Sequence, residues 1–158
     1  RVSATGGQIS WNNIVFTVSS TSAAGTFGPT AAGWKLFENG VDITPSDTGA
    51  TASVSDTGSN TRVEFEFATE RAIAAGSSVD LELRTTAGGT IAANDSVTTQ
   101  IANPSGTTVT ALASTAQVLT NATFIWSDQS AVTHGTGTAD WFTDGLVKAL
   151  AESQSLTK

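Results

Sequence analysis

The stretch Trp34-Lys35-Leu36-Phe37-Glu38-Asn39-Gly40-Val41-Asp42-Ile43 decides the fold class. Asn-Gly between two alternating segments is a strong hairpin signal, because both residues tolerate the positive φ that a two-residue turn needs. That turn sets Leu36 opposite Ile43 and Phe37 opposite Asp42. Trp34, Leu36, Val41 and Ile43 then line one face, so turn chemistry and apolar pattern agree on one register.

Similar segments recur on both sides, with turn residues between them. Val63, Phe65 and Phe67 alternate with Arg62, Glu64 and Glu66; Val79, Leu81 and Leu83 alternate with Asp80, Glu82 and Arg84. In each run the apolar set is expected to point inward and the charged set outward. From Gln8 to Ser19 the parity changes. Ile9 and Trp11 share one phase; Ile14, Phe16 and Val18 share the other. One extra residue has this effect, which predicts a β-bulge or break at Asn12-Asn13. Residues 50–55 and Ser96 to Ile101 add further strands, and Ala72 to Gly76 is placed to cross between sheets. Residues 20–32 read as a loop with Phe27 as a plug. About seven strands before the turn at Asn103-Pro104-Ser105-Gly106 suit an antiparallel, immunoglobulin-like β-sandwich.

The expected division is a sandwich over 1–103 and an extended C-terminal segment over 104–158, packed on the sandwich or on a neighbouring subunit. Val109 to Leu119 reads as an extended arm, Ala122 to Trp126 as a strand, and Ser127 to Thr138 as irregular. Around Trp141, Phe142, Leu146, Val147 and Leu150 the spacing allows a short helix or a strand pair.

Composition narrows the function. A net charge of -7 argues against nucleic acid and anionic membranes. Cys is absent, which removes disulfides, thiolate nucleophiles and Cys-ligated zinc. No apolar run is long enough for a transmembrane helix. Ser and Thr make up roughly a quarter of the chain, a composition that favours strands and turns. With Arg in place of Met at position 1, the first residue is expected to follow cleavage of a precursor or a boundary within a longer chain.

The lone histidine, His134, lies near Ser127, Ser130 and Asp128, but no Gly-x-Ser-x-Gly elbow is present. It is therefore read as a loop histidine bonded to the backbone of its own loop, and no catalytic residue is assigned. Carboxylate oxygens suit calcium better than zinc. The candidate ligands are Asp128, Asp140 and Asp144 in the tail, and Asp42, Asp47 and Asp56 near the hairpin loops; no other cofactor is expected. Glu64, Glu66 and Glu82 beside Arg62 and Arg84 read as an exposed cross-strand ion-pair ladder. Trp34 reads as core, while Trp126 and Trp141 are placed to clasp the tail onto the domain or onto a neighbour. An aromatic platform of Trp11, Trp34, Trp126 and Trp141 would instead serve glycan contacts.

Phe124-Ile125-Trp126-Ser127-Asp128, then Ser130-Ala131, His134, Thr138 and Asp140-Trp141, resembles a segment near the C-terminus of large exported surface-layer-like proteins of candidate-phyla bacteria. Arg1-Val2-Ser3-Ala4 with Gly7-Gln8-Ile9-Ser10, and Ile73-Ala74-Ala75-Gly76-Ser77, resemble their β-sandwich repeats. Phe142 departs from the pattern, where a more polar residue is expected. The resemblance implies an extracellular or cell-surface structural or adhesive protein without catalytic residues. The expected function is a self-assembling subunit, joined to copies of itself by β-strand addition. Segment 107–126 is the first candidate donor and 1–18 the second. Trp126, Trp141, Phe142, Val109, Val118 and Phe124 are the residues placed at that junction or at tail docking. A carbohydrate-binding or adhesive module is the alternative.

Overall fold

The computed structural model describes residues 1–21, 33–44, 51–56, 60–86, 93–101, 109–110, 124–142 and 154–157. The strands in chain order are β1 (Val2–Ser3), β2 (Ile9–Thr21), β3 (Lys35–Glu38), β4 (Val41–Asp42), β5 (Thr51–Asp56), β6 (Asn60–Ile73) and β7 (Ser78–Val79). They continue with β8 (Leu81–Arg84), β9 (Ser96–Gln100), β10 (Val109–Thr110), β11 (Phe124–Ser127), β12 (Trp141–Phe142) and β13 (Gln154–Thr157). All their pairings are antiparallel, and there is no α-helix among the described residues. The chain is all-β, in an arrangement consistent with a β-sandwich.

The hairpin forms in the expected register. Phe37 faces Asp42, Glu38 faces Val41, and Ile43 N–H donates to the Leu36 carbonyl at 2.9 Å. Asn39 and Gly40 take φ of 49° and 83°. Trp34, Leu36 and Ile43 are buried, but Val41 is 66% exposed. It sits beside the turn, where the hairpin has run past the core, so sharing a face with Leu36 does not bury it. β3 also pairs with β8, giving the sheet β4-β3-β8.

The run 78–84 behaves as two strands. β7 pairs with β1 and β8 with β3. Between them, Asp80 spends its backbone on the hairpin tip: its N–H donates to Asn39 Oδ1 and its carbonyl accepts from Asn39 N–H, both at 2.9 Å. Upstream, the chain leaves the large sheet at Ala74-Ala75-Gly76 and enters this layer, as the sequence suggests.

The eight-stranded sheet is built around β2. β6 covers one edge of β2; the other edge is shared, with β11 along Ser10–Ile14 and β9 along Thr17–Thr21. β5 lies outside β6, β12 and β10 continue beyond β11, and β13 pairs with β9. Strands from 1–103 and from 104–158 thus lie in one sheet, and both candidate donor segments contribute strands paired within the chain.

The parity change at Asn12-Asn13 is a bulge. Against β11 it is the expected single extra residue: Ile125 pairs with Asn13 and Trp126 with Trp11, which leaves Asn12 unpaired. Against β6 the irregularity is larger. Trp11 pairs with Arg71 and Asn13 with Glu66, so Phe67 to Glu70 of β6 lie against Asn12 alone. Trp11, Ile14, Phe16 and Val18 meet Val63, Phe65 and Phe67 in one core with Trp34, Leu36 and Ile43 from the facing sheet. Arg71 ties the layers, donating to Glu38 of β3 at 3.0 Å.

The second face of the large sheet is not the solvated surface expected from alternation. Ser10, Asn13, Val15, Glu64, Ile125, Ser127 and Trp141 are all buried. Glu64 is 7% exposed, accepts from Asn13 Nδ2 at 2.8 Å and pairs with Arg62. The expected cross-strand ladder is replaced by same-strand pairs, Arg62 with Glu64 and Arg84 with Glu82. Residues two apart on one strand share a face, so each pair can form along its own strand.

Candidate functional site

β11 ends at Ser127 and β12 begins at Trp141, and these two residues are register partners. The connection Asp128–Asp140 therefore starts and ends at one point of the sheet. Its conformation is costly: Gln129 and Thr133 have φ of 55° and 61°, and β-branched residues rarely adopt that region. A dense set of internal bonds holds it. Asp128 accepts from Ser130 N–H at 3.0 Å, closing one turn, and Ser127 Oγ accepts from Gln129 N–H at 2.9 Å. Thr138 Oγ1 lies 2.6 Å from the Gly135 carbonyl, which accepts from Trp141 Nε1 at 3.1 Å.

Asp140 is the hub. Its Oδ2 accepts from Ser127 Oγ at 3.0 Å and from Ala131 N–H at 3.4 Å, and lies 2.8 Å from His134 Nδ1; Thr138 Oγ1 contacts Oδ1 at 2.5 Å. Burial alone would raise its pKa. The donors from Thr138, His134, Ser127 and Ala131 outweigh burial and hold it down to about 2.

His134 joins this loop to the rest of the molecule. Its Nε2 lies 2.7 Å from Glu70 Oε2, on the bulged part of β6, and Ser10 Oγ donates to the same oxygen at 2.8 Å. Each ring nitrogen faces a carboxylate oxygen, so both must donate, and only the imidazolium has two N–H groups. Burial works against that charge, but Glu70 and Asp140 overcome it and raise the His134 pKa. The ring also lies 5.4 Å from the Trp141 ring. Nearby, Gln8 Nε2 donates to Gln129 Oε1 at 2.8 Å.

Ser10, His134 and Asp140 are near the spacing of a nucleophilic triad, with Ser10 Oγ 3.5 Å from Nε2. Two features oppose that chemistry. Ser10 is fully buried. Glu70 also occupies Nε2, so the nitrogen that would take the serine proton already donates one. The arrangement instead neutralises charge and fixes geometry.

Of the residues singled out from sequence, Trp126, Trp141, Phe142 and Phe124 come together here. Trp126 stacks on Phe142 at 4.8 Å, and Phe124 stacks on Trp11 at 5.8 Å, so the tail is pinned by aromatic contacts on the core side. Val109 pairs with Phe142. Val118 and Asp144 lie outside the described residues, as do Asp47, Phe27 and residues 143–150, where the choice between helix and strand pair was open. Asp140 spends both oxygens on donors, Asp128 is turned to Ser130, and Asp42 pairs with Lys35 at 2.6 Å. Among the described residues no three His, Asp or Glu side chains gather around a common point for a metal. Trp11, Trp34 and Trp141 are buried and offer no face to a sugar.

His134 was expected to bond its own backbone; its partners are instead two side chains. Ser10 and Glu70 were missed altogether. The signal for Glu70 lies in Ala68-Thr69-Glu70-Arg71, which interrupts the apolar alternation directly across from the parity change at Asn12.

Comparison with protein-family models found no match, and neither did comparison with curated proteins or with solved structures.

Proposed function

We propose that the chain is a structural module of an extracellular assembly, a surface layer or filament on the cell surface, joined by β-strand addition between copies. In this reading the two-layer fold is an immunoglobulin-like sandwich and the 124–142 unit is its exchangeable element. The carrying observation is the split edge of β2. Its Ser10–Ile14 stretch is covered by β11, more than a hundred residues later in the chain, through a four-pair ladder. A neighbour's β11 would make the same ladder. Closure within one chain and exchange between chains then use one set of contacts, and a head-to-tail exchange that does not close on itself gives a fibre or lattice. The polar cluster supports a mechanical role, because its donors and acceptors satisfy one another.

The test is sedimentation velocity with electron microscopy on the full chain over rising concentration at about pH 5.5, where His134 carries its proton. Ordered fibres or sheets are expected. A monomer at every concentration would rule the reading out.

A further inference from the structure

Burial excludes a slip of one residue, which would turn every side chain of β11 to the wrong face. Phe124 and Trp126 meet the core while Ile125 and Ser127 face away, and Asn12 is left unpaired opposite the step from Ile125 to Trp126. A slip of two residues keeps every side chain on its face, and no short turn joins β11 to β2 to prevent it. A contact outside the four-pair ladder distinguishes these two registers.

The structure assigns that choice to a polar plug and socket. We propose that Ser10 and Glu70 form a socket for His134, which fixes the register of an incoming Phe124–Ser127 strand, the chain's own or that of a second copy. The socket belongs to the sheet: Ser10 is on β2, and Glu70 is presented by the four-residue bulge of β6 opposite Asn12. The plug belongs to the tail: His134 is oriented by Asp140, which is itself held by Ser127, the last residue of β11. The position of β11 is thus read out at His134 through two hydrogen bonds. Among the described residues the charged groups facing the imidazole are Glu70 from β6 and Asp140 from its own loop; Ser10 from β2 completes the surround. The second-copy part rests on the assembly reading above. The register part does not.

A charge exchange in the full chain separates the two. Glu70→Lys sets two cations together. His134→Glu/Asp140→Asn sets two carboxylates together, while the amide introduced at position 140 can donate to the carboxylate introduced at position 134. Each of these partial variants should lose at least about tenfold of the amide-exchange protection of Phe124–Ser127 while Val63–Phe67 keeps its own. The combined variant Glu70→Lys/His134→Glu/Asp140→Asn sets the new cation against the new carboxylate and should regain protection within one chain. An equimolar mixture of the two partial variants should regain it only by pairing different chains, together with a rise in mass. No recovery in the combined variant overturns the socket. Recovery there but none in the mixture upholds the socket and overturns exchange between copies. Should a partial variant lose protection in Val63–Phe67 as well, the unmodified protein decides. Its β11 protection, referred to β6, should fall as pH rises and His134 loses its proton; a flat ratio overturns the socket.

Discussion

The 35–42 hairpin and the 128–140 loop both return the chain on itself, and they take their register by different means. The hairpin takes it from neighbours in sequence: a two-residue turn and a ladder whose partners are a few residues apart. The loop has internal bonds of its own, but the contacts that place it on the sheet lie far away in sequence. Its central contacts reach Glu70, 64 positions away, and Ser10, 124 positions away. The first kind of structure withstands the loss of any one polar group. The second depends on a particular set of them, all satisfied together.

Core substitutions should break the comparison most visibly. Trp141→Ala removes a fully buried ring and should cost about 3–5 kcal/mol, and Leu36→Ala about 2–5 kcal/mol. The damage should differ in place. Amide exchange should show Trp141→Ala releasing the tail while the hairpin stays protected, and Leu36→Ala loosening β3, β4 and β8 first.

Asp140→Asn comes next, at roughly 2 kcal/mol by urea unfolding, because it weakens hydrogen bonds that a buried carboxylate accepts. The corresponding substitution in the hairpin, Asp42→Asn, touches an exposed pair and should matter far less. The loop should also respond to pH where the hairpin does not. Asp140 is depressed, so its contribution is present above its ordinary range and fades as pH falls toward about 2. His134 is raised, so its contribution is complete below its ordinary value and is lost as pH rises through the raised one. Both act together between about pH 4 and 6.5, where tail protection should peak.

Gly40→Ala sharpens the other side. Gly40 has φ of 83° with open space around it, so the cost is backbone conformation alone, about 1 kcal/mol. It should appear in thermal unfolding with tail protection unchanged. Arg1→Ala sits at the bottom of the scale. The Arg1–Asp80 pair is exposed, and its loss should leave the melting temperature unchanged.

What was legible in the sequence follows the same division. Asn39-Gly40 and its flanking alternation specify a register, because local turn geometry and period-two burial suffice. The bulge at Asn12 was legible for the same reason: a parity change is a local event. The excursion of β6 opposite it was not, because nothing near Asn12 records the four residues that lie across from it there. Glu64 misled because alternation marks which residues share a face and does not say whether the second face meets water. His134 was legible as a loop residue, whereas its partners required knowing that β11 lies on β2, which brings Ser10 and Ser127 side by side. A four-pair ladder between segments so far apart leaves no periodicity to read.

The most direct measurement uses the absence of cysteine from the chain. Ser10 and Ser127 are register partners across the β2–β11 junction. One preparation would carry Ser10→Cys and the other Ser127→Cys, distinguished by isotope label, mixed at about pH 5.5 and oxidised gently. Exchange of the tail strand between copies predicts a disulfide joining labelled to unlabelled chains at these two positions, forming in step with assembly. If heterotypic disulfides stay at the level of a denatured mixture, while the Ser10→Cys/Ser127→Cys double variant closes within single chains, the tail remains on its own sheet and the strand-addition account is wrong.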